Sequence, residues 1–365
     1  MAFGLSSLTS LFRSDTTKTS TKGSVIGIDI GASAIKIVQL KNAKGIPTLA
    51  TYGELQLGPY EGVEVGRNTH LPIQKSVEAL IDILREAGTT GKEVTFALPY
   101  NSSFINIVTV PTIDTEQVAA MIPIEARKYI PISLTQVSLD WFVLGINESE
   151  KTMQVLILAT HAETMTKYAT IMAGAGLATI ANEIEVFSSI RSTASLTDEY
   201  LAVIDFGASS SRLYIIEKGV IRKTHSILMS GVEITRSLSS ALKISFDEAE
   251  EQKRMFGIHG NSDDPRIQKT VLAVLERGLR ELHTVVARYE EANNIKIQKV
   301  VTTGSGALLK GFSQYVGDMF SAPVALADPF AKVAYPAFLE DTLKEAGPAF
   351  AVAVGVALRA FQTTK

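Results

Sequence analysis

The chain has 365 residues, a net charge of −3, 46% hydrophobic and 20% charged residues, and no cysteine. That length holds two or three domains with ample core, in the composition of a folded rather than a disordered protein. Near-neutral charge without a basic run gives no footing for nucleic acid, and the lack of cysteine excludes disulfides, thiolate zinc sites and a cysteine nucleophile.

Residues 1–22 are rich in Ser and Thr, and Leu5, Leu8 and Phe12 would form one apolar stripe on a short helix. Two readings stay open for them: a flexible tail, or a helix docking weakly on a membrane surface or partner. No basic leader with an apolar core and cleavage site begins the chain. The most apolar stretch, Ala349 to Leu358, falls short of the about 20 residues that span a bilayer, so a cytoplasmic location is expected.

Residues 23–91 open with a buried strand from Ser24, a tight turn Gly31-Ala32-Ser33, and a second apolar strand through Leu40. Asp29 ends the first strand and Lys36 lies seven residues on. The same pattern returns 176 positions later, where Asp205, Gly207, Ala208, Ser209, Ser210, Ser211 and a following Arg212 repeat it in register. Turns of Gly, Ala and Ser let backbone N–H groups approach an anion. An Asp at the strand end can hold hydrated Mg²⁺, which prefers one or two carboxylates plus phosphate oxygens. Local turn preferences explain either copy alone. Two copies with matching flanks, in the two halves of the chain, read as phosphate-binding hairpins facing one nucleotide.

Val77, Leu80, Ile81 and Leu84 predict a helix over residues 76–87. Gly91-Lys92 is not a Walker loop, because Glu86 stands where its first glycine belongs and Glu93 follows the lysine. Residues 92–178 then read as strand, helix, two strands and helix, and form an expected insertion. Residues 179–200 connect to the second half, with a helix expected from Ala181 toward Ala194. Residues 201–348 carry the second hairpin, a turn at Ser230-Gly231, a capped helix from Ser245, a long helix over 264–294 and the loop Gly304-Ser305-Gly306. Residues 349–365 end in a helix of small residues suited to close contact across a hinge. Glu250 and Lys253, three apart, fit an exposed intrahelical ion pair as well as a ligand contact.

In this order the features resemble the actin, sugar kinase and heat-shock ATPase superfamily. From about Gly23 to the C-terminus the chain resembles the PilM family of type IV pilus assembly proteins, with the FtsA family of cell division close in wording. The resemblance implies an actin-like, ribonuclease H-like α/β fold of two lobes, with residues 92–178 as a 1C-type insertion. It implies ATP and Mg²⁺ as cofactors. Asp29 and Asp205 would hold the metal through water, and Lys36 would reach the β-phosphate. Gly31 to Ser33, Gly207 to Ser211 and Gly231 would meet phosphates. Glu250 and Lys253 would hold ribose and adenine, Gly304 to Gly306 would meet the adenosine, and Glu183 would position the attacking water. It further implies slow or no ATP hydrolysis and a scaffold of the pilus or type II secretion inner-membrane platform. That scaffold would bind the cytoplasmic tail of a PilN-type membrane protein and other platform components, and would sit peripherally at the membrane's inner face. Homo-oligomerisation, an FtsA-like filament function and a small-molecule kinase of the same fold stay open as alternatives.

Overall fold

The computed structural model describes residues 23–112, 114–195, 199–261 and 263–362. The two readings of residues 1–22 lie outside them.

The duplicated sequence builds a duplicated sheet. In the first lobe, β1 (Ser24–Ile30), β2 (Ala34–Ala43), β3 (Ile46–Gln56), β4 (Glu93–Leu98) and β8 (Ala178–Ile184) lie in the order β3-β2-β1-β4-β8. In the second, β9 (Tyr200–Phe206), β10 (Ser211–Glu217), β11 (Val220–Ile227), β12 (Lys299–Thr303) and β13 (Val324–Leu326) lie in the order β11-β10-β9-β12-β13. In both lobes the first three strands pair antiparallel and the last two join in parallel.

The strand pattern also dictates what covers each sheet. Ala202 and Ile204 of β9 face a core that includes Leu275, Leu279 and Leu282, while Leu201 and Val203 face another with Val186, Phe187 and Ile190. Alternate side chains thus enter two layers. The first layer is made by helices α5 (Gly231–Leu242) and α7 (Pro265–Asn293). The second is made by α4 (Glu185–Thr193). In the first lobe, α1 (Ile73–Glu86) and α3 (Ala162–Gly174) cover Ile26, Ile28 and Phe96.

The insertion is narrower than the sequence suggests. β4 is bonded into the first lobe's sheet beside β1, and α3 packs into that lobe's core, so the separate unit runs from about Tyr100 to His161. It is a three-stranded sheet, β5 (Ser103–Val110), β7 (Thr152–His161) and β6 (Val137–Asn147), with α2 (Thr115–Ala126) across it. Its other face reaches the second lobe: Leu156 and Leu158 share a core with Tyr214 and Ile216.

After α6 (Phe246–Phe256), α8 (Phe312–Phe320) and α9 (Glu340–Ala346), the chain returns through α10 (Ala351–Arg359). This helix lies on the first lobe's sheet and crosses α4, which lies on the second. The crossing depends on missing side chains. A Cβ on Gly355 would stand 1.8 Å from the Ser188 carbonyl oxygen, and one on Gly27 would stand 2.3 Å from that of Ala353. Two helices, one per lobe, therefore meet backbone to backbone at the hinge.

Candidate functional site

The strand ladders place both acid–cation pairs of the duplicated motif. Asp29 lies directly opposite Lys36 between β1 and β2, and Asp205 directly opposite Arg212 between β9 and β10. Each intervening turn closes with the same bond: the Gly31 N–H donates to Ala34 O at 2.9 Å and the Gly207 N–H to Ser210 O at 3.1 Å. The offset of seven seen in the sequence is thus the length of a hairpin that sets a cation beside a carboxylate.

Both hairpins open on one cavity of about 480 Å³, which also receives Glu185 and Ser189 from α4 and Gly304 and Ser305 from the second lobe. Its electrostatics are those of crowded carboxylates. Burial pushes Asp29 up to about 7, opposed by Lys36 and reinforced by Glu185 and Asp205. Asp205 rises to about 6 from burial, with Arg212 opposing and Glu185 reinforcing. Arg212 is itself buried, yet Glu185 and its other neighbours outweigh that burial and hold it charged.

Within the described residues, four buried side-chain atoms have no hydrogen-bond partner: Asn68 Oδ1, Ser189 Oγ, Ser210 Oγ and Arg212 Nε. All four residues line this cavity. Buried polar atoms are normally satisfied, so a cluster of exceptions marks where a polar ligand would bond. No group of three or more His, Asp or Glu among the described residues could hold a metal ion. Two carboxylates leave a divalent cation to complete its shell with water and phosphate oxygens, as Mg²⁺ does. The residues present therefore fit a Mg²⁺-nucleotide.

An adjoining cavity of about 320 Å³ shares Ser33, Gly207, Ala208 and Ser305 with the first and continues to Glu250 and Lys253 of α6. These two form an ion pair at 2.6 Å, Thr235 Oγ1 donates to Glu250 Oε2 at 2.6 Å, and Arg254 Nε donates to Glu250 Oε1 at 2.8 Å. Burial alone would raise the Glu250 carboxyl, but Lys253 and these donors hold it below the ordinary glutamate range. The intrahelical pair and the cavity wall are thus the same two side chains.

Several predicted residues stand elsewhere than expected. Ser211 is fully buried and its hydroxyl donates to Met229 O, so it anchors β10 instead of facing the cavity. The Gly231 N–H is spent on Gly207 O, so what this residue offers is an open wall: a Cβ there would have nothing nearer than 3.7 Å. Ser230 caps α5, its hydroxyl accepting from the Glu233 N–H. Gly304, at φ +84°, leaves no room for a side chain, since a Cβ would meet Phe206 O at 2.5 Å and Asp205 Oδ1 at 2.6 Å. A Cβ on Gly306 would enter the Phe206 ring, so both glycines seat the loop on the strand that carries Asp205.

Glu183 requires correction. The segment from Ala181 continues β8, and the helix starts at Glu185. Glu183 is 2% exposed and its carboxylate is taken by Arg191, Arg359 and Ser188. It faces the crossing of α4 and α10, away from the cavity. Glu185 is the glutamate that lines the cavity: its Oε1 accepts from the Tyr100 N–H at 2.7 Å and pairs with Arg212 Nη2 at 3.1 Å. Glu185, Arg212, Ser189 and Asn68 were not predicted. Arg212 had a signal, since it repeats the position of Lys36 after the duplicated Asp.

With this geometry in hand, known proteins can be compared. A solved PilM–PilN type IV pilus biogenesis complex is similar with a TM-score of 0.80 at 24% identity, over 92% of this chain and 98% of that one. MreB5 of Spiroplasma citri bound to AMPPNP is similar with a TM-score of 0.50 at 13% identity, over 91% of this chain and 94% of that one. The cell division protein FtsA of Bacillus subtilis (strain 168) is 25% identical over 150 residues, 35% of this chain. That match spans 34% of FtsA, about a third of its length. The family model described as type IV pilus assembly protein PilM matches residues 27–361, covering both hairpins, the insertion and the hinge helices. Duplicated sheets around a shared cleft and a family match of that extent lead to one assignment: the chain has an actin-like fold and belongs to the PilM family of type IV pilus assembly proteins.

Proposed function

We propose that this protein is an ATP-binding scaffold of the type IV pilus inner-membrane platform, on the cytoplasmic side, and that it binds the cytoplasmic tail of a PilN-type membrane protein. The observation that carries the nucleotide reading is the set of four unpartnered buried polar atoms, from both lobes and the hinge helix, lining one cavity between two glycine-turn hairpins. The similarity to an actin-like protein bound to AMPPNP supports it.

Bound ATP with Mg²⁺ would supply negative charge and a divalent cation to a site otherwise crowded with carboxylates. Asp29 and Asp205 would hold the cation through water, and its charge would stabilise both in ionised form. Lys36 would offset phosphate charge from the first lobe, and the turns 31–33 and 207–210 would orient the phosphates by small side chains and backbone. Glu250 and Lys253 would fix the ribose and adenine end, and the loop 304–306 would close over it. Glu185 is committed to Arg212 and the Tyr100 N–H, which supports slow turnover: a carboxylate so held is not free to align water.

The partner reading is supported by the similarity to a PilM–PilN complex and by a continuity in the cleft. Beyond the turns 31–33 and 207–210 the cavity runs on within the first lobe, past Leu71 and Ser76 to Thr164, Lys167, Tyr168 and Ile171 of α3. A tail seated there would share walls with the nucleotide, so lobe closure would tune its affinity. The reading is tested by titrating a fluorescent ATP analogue with Mg²⁺ into wild type and Asp205→Ala, with and without a PilN-type tail peptide. Binding that weakens in the variant and alters peptide affinity supports a regulated scaffold. Absence of nucleotide binding would leave a docking surface alone.

A further inference from the structure

The two hairpins differ in one chemical respect: the cation opposite the aspartate is a lysine in the first lobe and an arginine in the second. The guanidinium of Arg212 is about nine-tenths buried. Its Nη2 pairs with Glu185 at 3.1 Å, its Nη1 lies 3.9 Å from Asp205 Oδ2, and its Cζ stands 5.3 Å from the Tyr100 ring centroid. Its Nε has no hydrogen-bond partner. The residue lines the cavity, as does Ser210, whose hydroxyl is equally unpartnered.

A lysine in this position would be a single compact charge, without the planar fork that holds Glu185 at a fixed angle while another donor faces elsewhere. Arginine carries five N–H donors in a rigid fork, so it can hold Glu185 on one edge and present another donor elsewhere. Glu185 is in turn fixed by the Tyr100 N–H at 2.7 Å, and the Tyr100 hydroxyl is bonded to Thr224 at 2.9 Å, so the guanidinium is held from behind. A buried charged donor left unpaired on a residue that lines an anion cradle is costly to maintain unless an anion completes it.

We propose that Arg212 is the specificity-determining residue by which this cleft distinguishes a nucleoside triphosphate from a diphosphate, its Nε–H bonding the terminal phosphate while Glu185 and Tyr100 hold the guanidinium in place. This rests on the nucleotide reading above. The competing account makes Arg212 a buried counter-ion of Asp205 and Glu185 and nothing more.

The test is calorimetric titration of the full chain with Mg²⁺-ATP and Mg²⁺-ADP, for wild type, Arg212→Gln and Arg212→Lys, each checked by thermal melting. Wild type should prefer ATP. Arg212→Gln should lose about ten- to a hundred-fold in ATP affinity, the range one hydrogen bond to a charged group supplies, and far less for ADP. Arg212→Lys keeps the positive charge but loses the fork, so it too should lose most of the preference. It carries the test if the Gln variant fails to fold. Equal losses for ATP and ADP, or an unchanged preference, would overturn the inference and leave the counter-ion account. Wild type binding both nucleotides without preference would also overturn it while the nucleotide reading stands. Wild type binding neither would sink both.

Discussion

Glu183 and Glu185 are two residues apart, both pair with arginine, and they belong to clusters of opposite character. Around Glu183, Arg191, Arg359 and Ser188 take every carboxylate oxygen, Arg191 also reaches Gly355 O and Arg359 reaches Asn182 O. Burial alone would raise the Glu183 carboxyl, but the two arginines outweigh it and hold it below the ordinary range. Around Glu185, the carboxyls of Asp29 and Asp205 are instead pushed up, and donors and acceptors stand without partners. A saturated network fastens β8, α4 and α10 at the hinge. An incompletely satisfied one, a few ångströms of chain away, is a place for something else to bind.

The hinge side of this comparison should show the larger stability effects. Gly355→Ala puts a Cβ 1.8 Å from a backbone oxygen that cannot step aside, and it is expected to cost more than about 4 kcal/mol in urea unfolding, among the largest effects of single substitutions. Glu183→Ala leaves two arginines buried without their shared carboxylate and should cost roughly 3–5 kcal/mol. A Glu183→Ala protein as stable as wild type would end the claim that this network is a fastener.

The cleft side should respond with the opposite sign. Because Asp29 is pushed up to about 7 in the folded state, the folded protein binds its proton more tightly than the unfolded chain does, and the ligand-free fold loses stability as pH rises toward and through 7. Asp205 acts in the same direction over a window ending near 6. Glu183, held low, contributes stability that is present above its unfolded pKa and lost as pH falls below it. Ligand-free protein in chelator should therefore be most stable in mildly acidic solution. Asp29→Asn should stabilise it at pH 8 by roughly 2–4 kcal/mol while removing Mg²⁺-nucleotide binding. A stability profile that rises steadily to pH 8 in wild type would contradict the crowded-carboxylate description.

Within the cleft, the two turns offer a smaller contrast. A Cβ on Gly207 would meet Ser210 O at 2.8 Å, whereas one on Gly31 would meet Ala34 O at 3.1 Å. Gly207→Ala should thus destabilise by about 1–2 kcal/mol and Gly31→Ala by less than about 1 kcal/mol, read by thermal melts of the two proteins.

The same contrast explains what the sequence could disclose. The hairpins were legible because the chain spells them twice, and the Ser245–Glu248 capping box marks the start of α6 in both sequence and structure. The start of α4 carries no such mark: Ile184 is its N-cap and makes no side-chain cap bond, so nothing local separates the last strand residues from the first helical ones. Placing that start at Ala181, four residues early, put Glu183 where Glu185 stands and exchanged the hinge carboxylate for the cleft carboxylate. The bounds of the insertion were hidden for a different reason, since only long-range pairing with β1 assigns Glu93–Leu98 to the first lobe's sheet. The partners of Arg212 likewise come from other elements, Glu185 from α4 and Tyr100 from the mouth of the insertion.

The central claim is that the incompletely satisfied cluster is a nucleotide site, and titration of Mg²⁺-ATP into wild type and Glu183→Gln, alongside Asp205→Asn, tests it most directly. The account predicts that wild type and any folded Glu183→Gln protein bind with similar affinity, while Asp205→Asn, folded and at least as stable, does not bind. Failure of wild type to bind, or loss of binding in a folded Glu183→Gln protein with retention in Asp205→Asn, would contradict it.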